Sequence, residues 1–205
     1  QVYELWFKET LHELEYLMSL LRRRDIARAL HTLKRILTIL KVVVAQIDVL
    51  ETMTPLEFLS FRERLESGSG FQSMQFRELE FLLGAKNAAA LDRHAPGSAA
   101  RTRLERRLSA PSLWDVFLRF LADSGRAIPI GSLERDLTLP VAASETLQAV
   151  LIEIYRHDPL ISALCERLVD LDEGLQEWRY RHVKMVQRTI GTRHGTGGSD
   201  GAEYL

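Results

Sequence analysis

The residue in this chain best suited to unusual chemistry is His182. It falls in a series (Ile161, Leu164, Leu168, Leu171, Leu175, Trp178, His182, Met185) whose alternating spacings of three and four trace one apolar seam along a helix. Trp178, Met185 and Val186 surround it, and no Cys, Asp or Glu falls within the next two turns on that face to complete a zinc or calcium cage. A buried imidazole nitrogen needs a partner of some kind. Two readings stay open on the residues alone. One is a core histidine bonded to a carbonyl or a water. The other is an axial ligand to haem iron, which uses one protein imidazole and leaves the opposite face of the metal open.

Three further polar features exceed what helix packing requires. Arg62 lies four residues after Phe58, on one face of a short helix, and could offer a planar fork to a carboxylate or simply pair at the surface with Glu57 or Glu66. The stretch Ser67-Gly68-Ser69-Gly70 breaks that helix and lets backbone approach a ligand, with the amides of Gly70-Phe71-Gln72-Ser73 exposed behind it. The run Gly195-Thr196-Gly197-Gly198-Ser199-Asp200-Gly201 is no phosphate cradle, since it follows a helix and lacks a P-loop lysine; it reads as a flexible tail or as a lid with the Thr196 hydroxyl to place. Other templates are missing. There is no G-x-S-x-G elbow, no H-E-x-x-H pair and no evident Cys-His pair, and Glu78 and Glu80 read as ordinary helix carboxylates.

These residues need a scaffold, and the chain is long enough to supply one. With 205 residues, 46% of them hydrophobic, it can bury one substantial core without disulfides, and a single domain over 1–205 is expected. The 27 basic and 28 acidic side chains nearly balance, which argues against a nucleic-acid surface or an anionic membrane face. The local clusters Arg22 to Arg24 and Arg101 to Arg107 read as solvated helix faces or a flexible connection. Cys165 is the one cysteine, so no intrachain disulfide forms, and a reducing cytoplasm fits. No membrane-spanning run or signal pattern is visible, and a soluble protein is expected. Gln1 is followed at once by an aromatic helical pattern, so the sequence is expected to start inside a helix, with an N-terminal segment missing.

The pattern is helical throughout. Leu5, Trp6, Leu14, Leu17 and Leu21 suit one face of a helix over 2–21, and Ile26, Leu30, Leu33, Leu37, Leu40, Val44 and Ile47 form the seam of a long bundle helix, a natural partner for the seam of His182. Thr54-Pro55-Leu56-Glu57 is a capping box with proline in the first turn, opening a short helix to about Leu65. A helix from Phe71 stops at Gly84, and residues 85 to 111 read as a mobile or helical connection. Ser112 with Asp115 caps a helix to about Asp123, a loop runs from Ile128 to Pro140, a helix follows from Ser144 to Arg156, and Asp158-Pro159 starts the helix of His182. The class is all-α, a helical bundle with long core helices.

Several of these motifs, taken in order, resemble one family. Tyr3-Glu-Leu-Trp6-Phe-Lys8, Glu51-Thr-Met-Thr-Pro-Leu-Glu-Phe58, Phe61-Arg62, Ser69-Gly70-Phe71-Gln72-Ser73-Met74-Gln75-Phe76-Arg77, Trp178-Arg-Tyr-Arg-His182-Val183 and Gly195-Thr-Gly-Gly-Ser closely resemble the tryptophan 2,3-dioxygenases. The likeness covers 1 to about 86 and 144 to 205, and the variable connection 87–143 carries little of it.

The resemblance implies a cytoplasmic, homotetrameric haem b enzyme of the kynurenine pathway that inserts both atoms of O2 across the indole C2–C3 bond of L-tryptophan, giving N-formylkynurenine. It implies that His182 is the axial iron ligand, that Trp178 packs on the proximal side and that Arg77 meets a haem propionate. Arg62 would hold the substrate carboxylate, Thr196 would help hold the amino-acid end, and Phe58 with the Ser69-Gly70 backbone would line the pocket. The family's distal histidine would stand immediately upstream of Gln1, and an arm from a neighbouring subunit would also lie upstream, so the resemblance carries no certain catalytic residue onto this chain. Gly68 stands where Ala is usual and Asp200 where Ser is usual. Two other readings are compatible with the residues: a related haem monooxygenase acting on tryptophan or a substituted tryptophan, and a helical interaction protein that kept the scaffold without the cofactor.

Overall fold

The structure, a computed structural model, describes residues 2–65 and 73–191, and every regular element among them is an α-helix or a short 3-10 turn. Helix α1 (Val2–Arg22) ends at a turn in which Arg24 takes a left-handed φ of 58°, and α2 (Ile26–Glu51) follows, with Asp25 Oδ1 accepting the Arg28 amide at 3.2 Å. Thr54 caps α3 (Pro55–Phe61): its hydroxyl accepts the Glu57 amide at 3.3 Å while Glu57 Oε2 accepts the Thr54 amide at 2.7 Å. Glu57 is held below its ordinary value by the bonds its carboxylate accepts from the Thr54 amide and the Thr54 hydroxyl. The helix does not run evenly to Leu65 but tightens into a 3-10 turn over Arg62–Leu65. Helix α4 (Met74–Leu83) begins later than Phe71 and stops at Gly84, whose φ of 106° only glycine adopts freely.

The connection after Gly84 is structured. A 3-10 turn (Ala88–Arg93) leads to α5 (Ala99–Ser109), capped by Ser98, and Leu104 and Leu108 of α5 form a core with Phe81, Ala90 and Leu91. Helix α6 (Leu113–Asp123) carries the expected Ser112 and Asp115 capping box, the single-turn α7 (Ile130–Leu133) interrupts the expected loop, and α8 (Glu145–His157) starts at the Ser144 cap. Helix α9 (Pro159–Ile190) runs 32 residues, opened by Asp158 Oδ1 accepting the Ile161 amide at 3.0 Å and closed by Gly191 at φ 60°.

The chain divides into two compact units. The first, Gln1–Ile36 with Met74–Leu168, packs α1 on α4 and α6, and α4 on α5. Its core draws on Leu14, Leu17, Leu21, Phe81, Phe117 and Phe120. Leu5, expected on the buried face of α1, is 68% exposed; Phe7 and Leu11 take that role, with Phe7 against Phe76 at a centroid distance of 5.3 Å. Arg101, Arg103 and Arg107 of α5 are not the solvated cluster their density suggests, whereas Arg106 is exposed. Arg103 Nε donates to Glu78 Oε1 at 2.7 Å, Arg107 pairs with Glu15 and lies 3.6 Å from Glu78, and Arg101 donates to the carbonyls of Leu91 and His94. Glu78 is fully buried, so it is no ordinary helix carboxylate: it holds α5 on α4.

Lys86 is buried too, and its ammonium donates to the carbonyls of Arg107, Leu108 and Ala110 at 2.8, 2.9 and 2.8 Å. These are orphan acceptors at the C-terminal end of α5, where a cation is favoured by the helix dipole. An ammonium with three donors meets three acceptors. The second unit, Leu37–Ser73 with Val169–Leu205, brings α2 and α9 side by side. A Cβ built on Gly174 would lie 2.6 Å from Leu40 Cδ2, and Arg181 reaches Asp48 and Glu51. Both partners rise together in number, so the two helices run in the same direction here.

Replacing Lys86 with Met keeps the stem and removes the ammonium. We expect a loss of about 2–4 kcal/mol, the cost of leaving buried carbonyls unpaired, measured by urea unfolding. The exposed Arg106→Ala should stay within about 0.5 kcal/mol of the parent.

Candidate active site

Helix α9 presents His182 as its apolar periodicity requires: Ile161, Leu164, Leu171 and Trp178 are buried, and Leu168, Leu175, His182 and Met185 are half-buried. The Trp178 indole and the His182 imidazole, one helical turn apart, stack with centroids 5.1 Å apart and planes 19° from parallel. Burial holds the imidazole below its ordinary value, so it is neutral at pH 7. Its Nδ1 is buried and has no hydrogen-bond partner among the described residues.

An atom so placed can serve a group beyond the described residues, a bound cofactor among them. No cluster of three or more His, Cys, Asp or Glu side chains able to hold a metal occurs among the described residues. One neutral imidazole with an aromatic wall therefore suits a metal that brings most of its own ligands, as haem iron does. The site fits that group.

Helix α3 belongs to the same unit and positions two of the other expected residues. Proline in the first turn and the Thr54 box fix where the helix begins, and the turn then carries Phe58 and Arg62 four residues apart. The Phe58 and Phe61 rings meet edge to face at 5.5 Å, and the Arg62 amide donates to the Phe58 carbonyl where α3 gives way to the 3-10 turn. Ser69, Gly70 and Thr196 lie outside the described residues, as do Gly68 and Asp200.

Arg77 lies on α4, in the first unit. Its Nη1 donates to Glu80 Oε2 at 2.5 Å, its guanidinium lies over the Phe76 ring at 5.6 Å, and its buried Nε has no partner among the described residues. Glu80 thus holds the guanidinium in place while its buried Nε–H stays without a partner among the described residues. Cys165 is buried, and desolvation pushes its thiol up to about 11, which removes it as a nucleophile. One participant escaped the sequence reading: Arg181, beside His182, donates to Asp48 Oδ1 at 2.6 Å and Glu51 Oε2 at 2.9 Å. Two acidic residues in the last turn of a helix, with no basic residue there, were the available signal.

A seven-residue helix depends on its cap. Thr54→Ala should weaken α3 locally by about 1 kcal/mol, seen as faster amide exchange and proteolytic nicking over residues 55–61 with α6 unaffected. Unchanged protection there would show that packing alone holds α3.

The model of one protein family, described as tryptophan 2,3-dioxygenase, matches residues 1–105 and 115–205. The match runs through most of the connection expected to carry little likeness; only 106–114, around the end of α5 that Lys86 caps, fall outside it. The chain is similar to a tryptophan 2,3-dioxygenase from Herpetosiphon aurantiacus, 60% identical over 205 residues that span all of this chain and 78% of the relative. It is also similar to tryptophan 2,3-dioxygenases from Anaeromyxobacter sp. (strain K), 54% identical with 77% of that protein covered, and from Bordetella pertussis, 42% identical with 73% covered. Breadth of match and level of identity leave one conclusion: the chain belongs to the tryptophan 2,3-dioxygenase family.

Proposed function

We infer that this protein is a dioxygenase of tryptophan catabolism, converting L-tryptophan and O2 to N-formylkynurenine. The family match over nearly the whole chain carries the reading, and the neutral His182 with its open nitrogen supports the cofactor. The cofactor we propose is haem b: His182 would bind its iron, Trp178 would pack beside that histidine and Arg77 would meet a propionate. When bound, haem supplies the oxygen activation that side chains alone lack.

The chain's own residues handle geometry. His182 offers a neutral nitrogen without a proton to lose, because burial has already disfavoured its charged form. Arg62 presents its fork to the substrate carboxylate, Thr196 helps hold the amino-acid end, and Phe58 with the Ser69-Gly70 backbone lines the pocket for the indole. Fixing one end of the substrate fixes where the reacting bond lies, and effects of this kind contribute much of an enzymatic rate. The apolar wall keeps water from the reaction.

Among the described residues no helix is long and apolar enough to cross a membrane. We place the enzyme in the cytoplasm, in accord with its single free thiol, and propose a homotetramer. Exposed apolar side chains such as Leu5, Val49, Leu56, Ile152 and Leu160 give an assembly surface to cover. Residues 1–205 are proposed to serve one catalytic domain.

Two variants separate the roles. His182→Ala should abolish stable haem binding, read as loss of the Soret band after reconstitution and desalting, whereas Arg62→Ala should keep haem and weaken tryptophan binding about a hundredfold. Full haem occupancy in the first, or unchanged affinity in the second, would contradict the assignments.

A further inference from the structure

We propose that Arg181 is a positioning residue: its bonds to Asp48 and Glu51 fix the turn of α9 bearing His182 against the α2–α3 junction, and so set the proximal histidine relative to Phe58 and Arg62. This rests on the reading of His182 as haem ligand and Arg62 as carboxylate clamp.

The observation behind it is a local violation with a compensation. Asp48 and Glu51 occupy the last turn of α2, where the helix dipole disfavours negative charge and where α2 has no basic residue of its own. Both carboxylates instead accept from one nitrogen of Arg181, at 2.6 and 2.9 Å. Sequences that break a local preference and offset it from a distance tend to do so at functional positions.

The junction that this clamp holds is stiff. After Glu51, the Thr52 amide and hydroxyl both donate to the Val49 carbonyl and the Met53 amide donates to that of Leu50, so the chain turns without slack into the Thr54 cap. From Thr54 the capping box sets the start of α3, and Phe58 and Arg62 follow one and two turns on. At the other end, Arg181 is the residue before His182 on an unbroken helix.

A second contact on the same two helices gives the clamp its leverage. Gly174 lets α9 approach Leu40 of α2 more closely than a Cβ permits. From Leu40 to Asp48 the rise is about 12 Å, and from Gly174 to Arg181 about 10.5 Å, so contact and ion pair are nearly in register along parallel helices. Two such points resist the sliding of one helix along the other, and removing Arg181 takes away the one nearer His182.

The test uses the haem-loaded full chain and three variants: Arg181→Gln, the exchange Arg181→Glu with Glu51→Arg, and His182→Ala as control. Resonance Raman of the ferrous protein reads the iron–histidine stretch, and steady-state kinetics read kcat and KM for tryptophan. Arg181→Gln is expected to bind haem, to shift or broaden the stretch, and to lower kcat/KM about tenfold. The exchange should restore both, since it rebuilds the pair and places the cation at the end of α2 where the dipole favours it. Should Arg181→Gln not fold, Arg181→Met, which keeps much of the stem and removes the donor and the charge, takes its place in the same comparison.

Wild-type stretch and kcat/KM in the folded Arg181 variant would overturn the proposal, as would an exchange that recovers melting temperature without recovering either readout. Those results leave the haem reading intact. A parent protein without the stretch, or a His182→Ala variant that retains it, would instead sink the haem reading and this proposal with it.

Discussion

The state of one imidazole governs the rest of the site. Partial burial on the inner face of a long helix disfavours the charged form of His182, and its buried Nδ1 has no hydrogen-bond partner among the described residues. Keeping an aromatic base in that condition requires a wall, and Trp178 provides it one turn away on the same seam. On the 32-residue α9, His182 stands eight residues before the last helical residue, clear of the final turn where helix ends fray.

The residues proposed to face the substrate, Phe58 and Arg62, sit on shorter elements and depend on local chemistry. Helix α3 has seven residues, none of them buried, and takes its definition from proline, the Thr54 capping box and the junction behind it. The first unit is held differently. Buried Glu13, Glu78 and Glu80 each meet an arginine, and Lys86 closes the end of α5, so charged residues dock helices to one another there. Removing one partner of such a pair leaves the other buried and uncompensated, which makes the network strict about which helices meet. Arg77 is part of that network through Glu80.

The elements were largely legible because caps and periodicity act locally. Thr54, Ser112, Ser144 and Asp158 mark helix starts by hydrogen bonds within three residues, and Gly84 and Gly191 mark ends by their backbone conformation, so a sequence window holds the whole cause. The seam of His182 was legible for the same reason. Long-range pairing was not: the partners of Arg103, Arg107, Lys86 and Arg181 lie 21 to 133 residues away, and nothing in an arginine-rich window distinguishes a solvated cluster from one that meets buried carboxylates. Leu5 went astray because the periodicity of α1 permits more than one face, and packing against α4 and α6 chose the face of Phe7 and Leu11. Motif order, not geometry, pointed to Arg62, Arg77 and Thr196.

The central claim is that this scaffold positions tryptophan for the addition of a whole dioxygen molecule. Its most direct test is the mass of the product formed when the haem-loaded, reduced protein is given L-tryptophan and isotopically labelled O2. Product carrying both labelled atoms, with the mass of N-formylkynurenine, is the expected result. Product carrying a single labelled atom, or tryptophan returned unchanged by protein that holds haem, would contradict it.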